Sequence, residues 1–330
     1  MDHPAPVQAQ GAQGRGPLLE GGAPELSFIL LNWNTRELFR KSVRAVLDSS
    51  AGMSAEHLVI DNGSSDGSAD MATAEFPQVT LIRLPKNVGP AAGFNVGMQR
   101  ARGRLVVLVN TDAFLTRDTL LKLKTFLDTH PEHAIVVPKL LNPDGTTQIG
   151  VLRFPALGTF LWHDSILSAT WPGNPWRRRY MMKEFDHEES RDVEQPPQAI
   201  MMYRREMMEK VGLHDETMPI YFNDVDLCLR VHRQGYKIHY LAEATAVHLC
   251  GATSGKLNDR AGIIFCDRIR YARKHFGLLG ATFARFALYS SGALEILKCL
   301  FDGEASFERR RQEARRIFRL VFKVHRDSRR

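Results

Sequence analysis

The segment YFNDVDLCLRVHRQG, residues 221–235, sets two carboxylates one residue apart at what reads as the start of a helix. Residues two apart on a helix differ by about 200°, so Asp224 and Asp226 point to nearly opposite sides and cannot form one paired-carboxylate site. Asp226 falls in line with Arg230 and Arg233, which predicts an ion pair on a solvated face, worth roughly a few tenths of a kcal/mol. Asp224 falls in line with Leu227, Cys228 and Val231, an apolar stripe that should face a core. A carboxylate looking inward from a first helical turn is either a cap favoured by the helix dipole or a group held in a cleft for chemistry. The segment alone leaves both readings open.

Other polar residues collect at the ends of apolar runs. LSFILLN (26–32) leads into Trp33 and Asn34, HLVID (57–61) ends in Asp61-Asn62, and RLVVLVN (104–110) ends in Asn110-Thr111-Asp112. Each short motif by itself is commonly only a turn, because Asn and Asp favour such conformations. Three of them on one edge of one sheet make a pocket. Asn87, Gly89, Gly93 and Gly97 follow a further strand, VTLIRL (79–84), where small residues let a helix N-terminus approach a bulky ligand; helix packing is the competing explanation.

The elements that must position these groups alternate along the chain. Strands are expected at 26–32, 57–61, 79–84, 104–110 and 134–138, with helices from the Thr35 cap to Leu47, through 69–76, after the Gly-rich loop, and over 117–129. NPDG (142–145) is a turn. The architecture implied is a doubly wound α/β sheet, mostly parallel, which binds ligands beyond the carboxyl ends of its strands. No G-x-x-x-x-G-K-[ST] is present, which excludes a P-loop nucleotidase, and no G-x-G-x-x-G follows the first strand, which argues against a dinucleotide-dependent dehydrogenase.

Composition sets the outer limits. With 330 residues, 44% of them hydrophobic, the chain can bury a large core. Residues 1–24 are rich in Gly, Pro and Gln, lack the apolar run of a signal peptide, and read as a disordered tail of a cytoplasmic protein. Cys228, Cys250, Cys266 and Cys299 form no C-x-x-C pair, so reduced thiols are the default and a structural zinc site is not expected. Net charge is +7, and residues 301–330 hold ten Arg or Lys against five Asp or Glu, a net of +5. That basic tail follows an apolar stretch, 276–301, interrupted by Arg285, Glu295 and Lys298. The interruption suits an interfacial helix on an anionic membrane surface, or a helical pair closing the fold, better than a membrane span. A nucleic-acid-binding role for the tail is a further alternative.

In order along the chain, FILLNWN, VIDNGSSDGS, NVGPAAGFNVG, LVVLVNTDA, GLHDETMPIYFNDVDLCLR, GYKIHYLAEATAVH and GATS resemble the inverting family-two glycosyltransferases. The likeness is to the rhamnosyltransferase type, with GPAAGF similar to galactofuranosyltransferase relatives, and it spans roughly residues 26–275. It implies the GT-A fold, a Rossmann-like domain over 25–275. Residues 25–150 would form the nucleotide-sugar half, 151–275 the acceptor and catalytic half, and 276–330 a basic, amphipathic helical extension. By resemblance, Asp61 binds the base or ribose of the donor, with Asn32, Asn34, Asn87 and Gly93 in the same pocket and Asn110 on the ribose. Asp112 holds Mg²⁺ or Mn²⁺ on the diphosphate, and His248 completes the metal or diphosphate site. Asp224 aligns with the general base that deprotonates an acceptor hydroxyl. The partners implied are a nucleotide-sugar and a glycan or lipid-linked glycan of the cell envelope, at the inner face of a membrane, with no nucleic acid. The family usually has Glu where this chain has Asn223, and the loss of a neighbouring carboxylate lowers the expected pKa of Asp224 relative to such relatives. Trp162, Trp171 and Trp176 fall on the acceptor side, as sugar-stacking platforms or as loop anchors. A nucleotidyltransferase on a similar sheet and an inactive glycosyltransferase-like scaffold are the remaining alternatives.

Overall fold

The computed structural model describes residues 22–251, 260–301 and 307–328. The expected tail therefore lies outside the described residues as far as residue 21, as do residues 252–254 of the GATS motif.

The first half alternates as its sequence pattern requires: β1 (Leu26–Asn32), α1 (Arg36–Ser49), β2 (Ala55–Asp61), α2 (Ser68–Glu75), β3 (Thr80–Arg83), α3 (Pro90–Met98) and β4 (Leu105–Asn110). A two-residue β5 (Ala113–Phe114), α4 (Arg117–Thr129) and β6 (His133–Leu141) follow. Three short helices, α5 (Leu157–Trp162), α6 (Leu167–Thr170) and α7 (Pro175–Met181), precede β7 (Arg191–Val193), β8 (Ile200–Arg204), α8 (Arg205–Val211), α9 (Asn223–Arg233) and β9 (Lys237–His248). The chain closes with α10 (Arg260–Phe301), which is broken at Gly277 by a left-handed φ of 63°, and α11 (Phe307–Asp327).

One sheet carries the fold, in the order β3-β2-β1-β4-β8-β6-β9-β5, with β7 also paired to β9. β1, β2, β3, β4, β6 and β9 run in one direction, while β5, β7 and β8 run against it. The antiparallel β8 in the middle is what the alternation of the first half does not announce. Buried strands alternate their apolar side chains between two cores. Phe28, Leu30, Val107 and Val109 meet Phe39 of α1 and Leu120 and Leu123 of α4, whereas Ile29, Val106 and Leu108 meet Phe94 of α3 and the layer of α9 and α10. Each such side chain contributes about 1.5–3 kcal/mol of burial against the entropy of ordering it.

Two glycines explain how α3 lies so close to the sheet. A Cβ at Gly93 would stand 2.5 Å from Leu31 Cδ1, and one at Gly97 would stand 2.4 Å from Ile29 Cγ2. Thr35 does not cap α1 through its side chain; its Oγ1 donates to Asn32 Oδ1 (2.7 Å), and the Arg36 N–H at the helix start is taken by Asp66 Oδ2 (2.9 Å).

Candidate active site

Strand register gathers the polar ends at one edge. Asn32 on β1 lies opposite Asp61 on β2, and Leu31 lies opposite Asn110 on β4. Because β8 runs antiparallel to β4, the residues before it return to the same edge, where Asn110 donates its backbone N–H to Ala199 O (2.9 Å) and its amide to Gln198 O (3.0 Å). β9 is parallel to β6, so its end, His248, arrives there too, opposite Ala113 of β5. Beyond this edge opens a cleft of about 300 Å³, within the range of small-molecule sites. Of the residues expected to act, Asn87, Asn110, Asp112, Asp224 and His248 line it.

Asn32, Asn34, Asp61 and Gly93 do not line it. Asn32 is fully buried, and both its amide hydrogens are spent on Asp61 Oδ1 (3.0 Å) and Ser64 Oγ (3.0 Å), so it braces the DNGSS loop. Asp61 also accepts from the Ser64 N–H through Oδ2 (3.1 Å). Asn34, in a left-handed conformation, accepts the Ser65 N–H (2.8 Å) and ties the same loop to β1. Gly93 lets α3 pack closely against Leu31. The neighbour not singled out, Asn62, does line the cleft; its Oδ1 accepts Val88 N–H (2.9 Å) and its amide donates to Asn87 Oδ1 (3.1 Å), which shapes the Gly-rich loop. Trp162, Trp171 and Trp176 lie off the cleft on α5 to α7 and pack on one another, with Trp162 stacked on Trp176 at 5.8 Å and 13°.

Asp112 and His248 meet through the β5–β9 pairing. His248 Nε2 lies 3.5 Å from Asp112 Oδ1, and Leu249 N–H donates to Asp112 O (2.9 Å). Gln148 fixes the ring: its Oε1 is 2.9 Å from His248 Nδ1, and its amide donates to His248 O (2.6 Å). With Nδ1 as the protonated nitrogen, the Nε2 lone pair faces the Asp112 carboxylate. An oxygen and a neutral imidazole nitrogen converging beside a cleft suit Mn²⁺ or Mg²⁺, so the residues fit the cation implied by resemblance. Nothing in the local sequence joined Gln148 to this site, because 100 residues separate it from His248.

Asp224 enters from α9, whose N-terminus is set by Phe222 in a left-handed conformation, φ 63°. Strain of this kind on a bulky residue costs about 1–3 kcal/mol and persists only where surroundings enforce it. Here α10 enforces it: Asp267 Oδ2 accepts the Tyr221 N–H (2.9 Å) and the Ile220 N–H (3.3 Å), and the Arg268 guanidinium sits 5.3 Å over the Phe222 ring. Among the described residues Asp224 accepts the adjacent Val225 N–H (2.9 Å) and makes no ion pair, and burial raises its pKa. The cap reading therefore gives way to a carboxylate held at a cleft wall. Asn223 beside it is buried, lines the cleft, and has an Oδ1 without a hydrogen-bond partner among the described residues.

Asp226 corrects the expected solvated face. It is 0% exposed and takes Arg230 Nε (2.8 Å), Lys274 Nζ (2.7 Å) and His275 Nε2 (2.8 Å). Burial alone would raise its pKa, but the bonds from His275 and Lys274 and the charge of Arg230 hold it well below the usual range. Arg233 pairs with His275 instead (3.0 Å).

The fold and the cleft at its carboxyl edge define the GT-A class of glycosyltransferases, and similarity to solved members agrees. A mannosyltransferase from Pyrobaculum calidifontis, solved with GDP-Man and Mn²⁺, superposes with a TM-score of 0.50 at 14% identity, over 93% of this chain and 87% of that one. GalNAc-T7, solved with UDP, GalNAc and Mn²⁺, superposes with a TM-score of 0.56 at 13% identity over 83% of this chain, which spans about half (51%) of that structure. The glycosyl transferase family 2 model matches residues 27–212, and the chain belongs to that family. An N-acetylglucosaminyl-diphospho-decaprenol L-rhamnosyltransferase of Mycobacterium tuberculosis is 26% identical over 211 residues, 60% of this chain and 68% of that one. The protein is a glycosyltransferase.

Proposed function

We propose that this cleft transfers a hexose of the rhamnose type, with inversion, from a nucleotide-sugar to a glycan or lipid-linked glycan of the cell envelope. The observation that carries the reading is one cleft lined both by a carboxylate, Asp224, that makes no ion pair among the described residues, and by the converging pair Asp112 and His248. A carboxylate whose pKa is raised by burial is a better proton acceptor than an ordinary aspartate. Asp224 takes the proton of the acceptor hydroxyl as that oxygen attacks the anomeric carbon. Asp112 and His248 would hold a divalent cation, which when bound neutralises charge growing on the departing diphosphate. Asn110 and Asn87 bind the nucleoside and ribose, while Asp61 orders the adjoining loop through its bonds to Asn32 and Ser64. Asn223 Oδ1, an acceptor lacking a protein donor, takes a hydroxyl of the donor sugar.

The second part of the proposal concerns where the enzyme works. No helix among the described residues is long and apolar enough to cross a membrane. On α11, Phe318 and Phe322 lie one turn apart at 65% and 63% exposure, with Arg315 and Arg319 exposed beside them. Apolar rings flanked by arginines suit the inner face of an anionic bilayer. The Mycobacterium relative, whose printed name carries a decaprenol diphosphate, supports a lipid-linked acceptor. A panel of nucleotide-sugars with Mn²⁺ tests the reaction: release of nucleoside diphosphate supports it, and release of pyrophosphate would support nucleotidyl transfer instead.

A further inference from the structure

At the far end of β9 from the cleft, three neighbouring strands bring together two imidazoles and a carboxylate. Asp192 on β7 lies directly opposite His239 on β9, and an irregularity in the β6–β9 pairing between His133 and Ile135 turns His133 toward them. His133 Nε2 is 2.7 Å and His239 Nδ1 is 2.8 Å from the same oxygen, Asp192 Oδ1, and the three ligand atoms lie within 4.8 Å of one another. Phe126 of α4 fixes both rings, stacked on His239 at 4.2 Å and 15° and edge-on to His133 at 5.0 Å. We propose that His133, Asp192 and His239 form a second metal site, one that takes a Zn²⁺-class transition ion and clamps β6, β7 and β9 together.

The hydrogen-bonding state of His133 argues for an ion. Its ring is 4% exposed, and with Nε2–H donating to Asp192 its Nδ1 is a buried atom without a hydrogen-bond partner. Glu132 Oε1 lies 3.3 Å from that nitrogen. When an ion binds Nε2, the proton moves to Nδ1, which then donates to the Glu132 carboxylate, the arrangement that orients most metal-bound imidazoles. The ion thus satisfies a group that the hydrogen-bonded cluster leaves orphaned.

Two imidazoles and one carboxylate with an open fourth position make a tetrahedral set that selects Zn²⁺, Co²⁺ or Ni²⁺ over Mg²⁺. Ligand bonds of about 2.0–2.1 Å place tetrahedral donors about 3.3 Å apart, so the cluster opens by roughly 0.5 Å. Lys237 Nζ, 3.3 Å from Asp192 Oδ2, competes with the ion, but its half-exposed side chain can turn to solvent. The site is separate from the cleft: nine residue steps along β9, about 30 Å at roughly 3.3 Å each, separate His239 from His248. It also revises the expectation of no structural zinc, which rested on cysteine spacing and could not weigh His and Asp from three strands.

The test is equilibrium dialysis of the full-length protein against Zn²⁺ and Co²⁺ without nucleotide, with tetrahedral Co²⁺ absorption as the second readout. One ion per chain should bind in wild type and in Asp112→Ala. Affinity should fall at least tenfold in His239→Ala and Asp192→Asn and should rise in Lys237→Ala, an exposed change that leaves the core untouched. Metal uptake lost with Asp112→Ala, or unchanged in both His239→Ala and Lys237→Ala, would overturn the proposal.

Discussion

Among the described residues Asp224 has no countercharge, and at neutral pH that has a thermodynamic cost. Its folded pKa is raised, so the folded state binds its proton more tightly than the unfolded chain does. The stability it contributes is complete below its unfolded pKa and is lost as pH rises through the folded value. Asp224→Asn should therefore raise Tm at pH 7, with the gain shrinking as pH falls through the raised folded pKa and gone below about pH 4, while transfer falls on the order of 10²–10⁴-fold and nucleoside-diphosphate binding stays within a few-fold. Differential scanning calorimetry beside a transfer assay checks both; a lower Tm at pH 7 would mean that the carboxylate is a stabilising cap. The wild-type acid limb should lie above that of an ordinary aspartate, read from kcat against pH. For Asp112→Ala, metal-dependent donor binding should weaken at least tenfold, and an unaltered Mn²⁺ titration would remove Asp112 from that site.

At the scale of elements, α10 does what the catalytic helix cannot do for itself. Asp267 holds the Ile220–Tyr221 backbone, Lys274 pairs with the buried Asp226 of α9, and His275 Nε2 donates to it. Asp226→Ala removes the carboxylate that Arg230 and Lys274 share and that His275 donates to, and should cost about 3–5 kcal/mol in urea unfolding. A loss below about 1 kcal/mol would return Asp226 to the solvated face expected from its spacing. Local periodicity fixed β1 and α4 to the residue, since an apolar run and a helical spacing of apolar residues are written within each segment. It also gathered the strand-end residues on one edge, because parallel register follows from the alternation. The partners of Asp226 were illegible: His275 lies 49 residues away, and an i, i+4 arginine gives a sufficient but incomplete explanation. Asn32 and Gly93 stand off the cleft for a related reason. Polar and small residues at a strand end or a helix start suit a ligand and a loop brace equally well, and only Ser64 and Leu31, distant in sequence, decide between them.

For the whole molecule, the exposed rings and arginines of α11 bear on where the active cleft works. Phe318→Glu with Phe322→Glu should reduce sedimentation with anionic vesicles severalfold and leave Tm nearly unchanged, because both side chains already face solvent. Unchanged sedimentation would confine α11 to closing the fold against α10. The central claim is that one cleft joins a desolvated base to a diphosphate site. It is tested most directly by supplying the protein with individual nucleotide-sugars, Mn²⁺ and a lipid-linked glycan acceptor, and measuring nucleoside diphosphate and the anomeric configuration of the product by NMR. Inverted product with one donor, absent with Asp224→Asn though that variant still binds the nucleotide, is the predicted result. Retained configuration, or full turnover by Asp224→Asn, would contradict it.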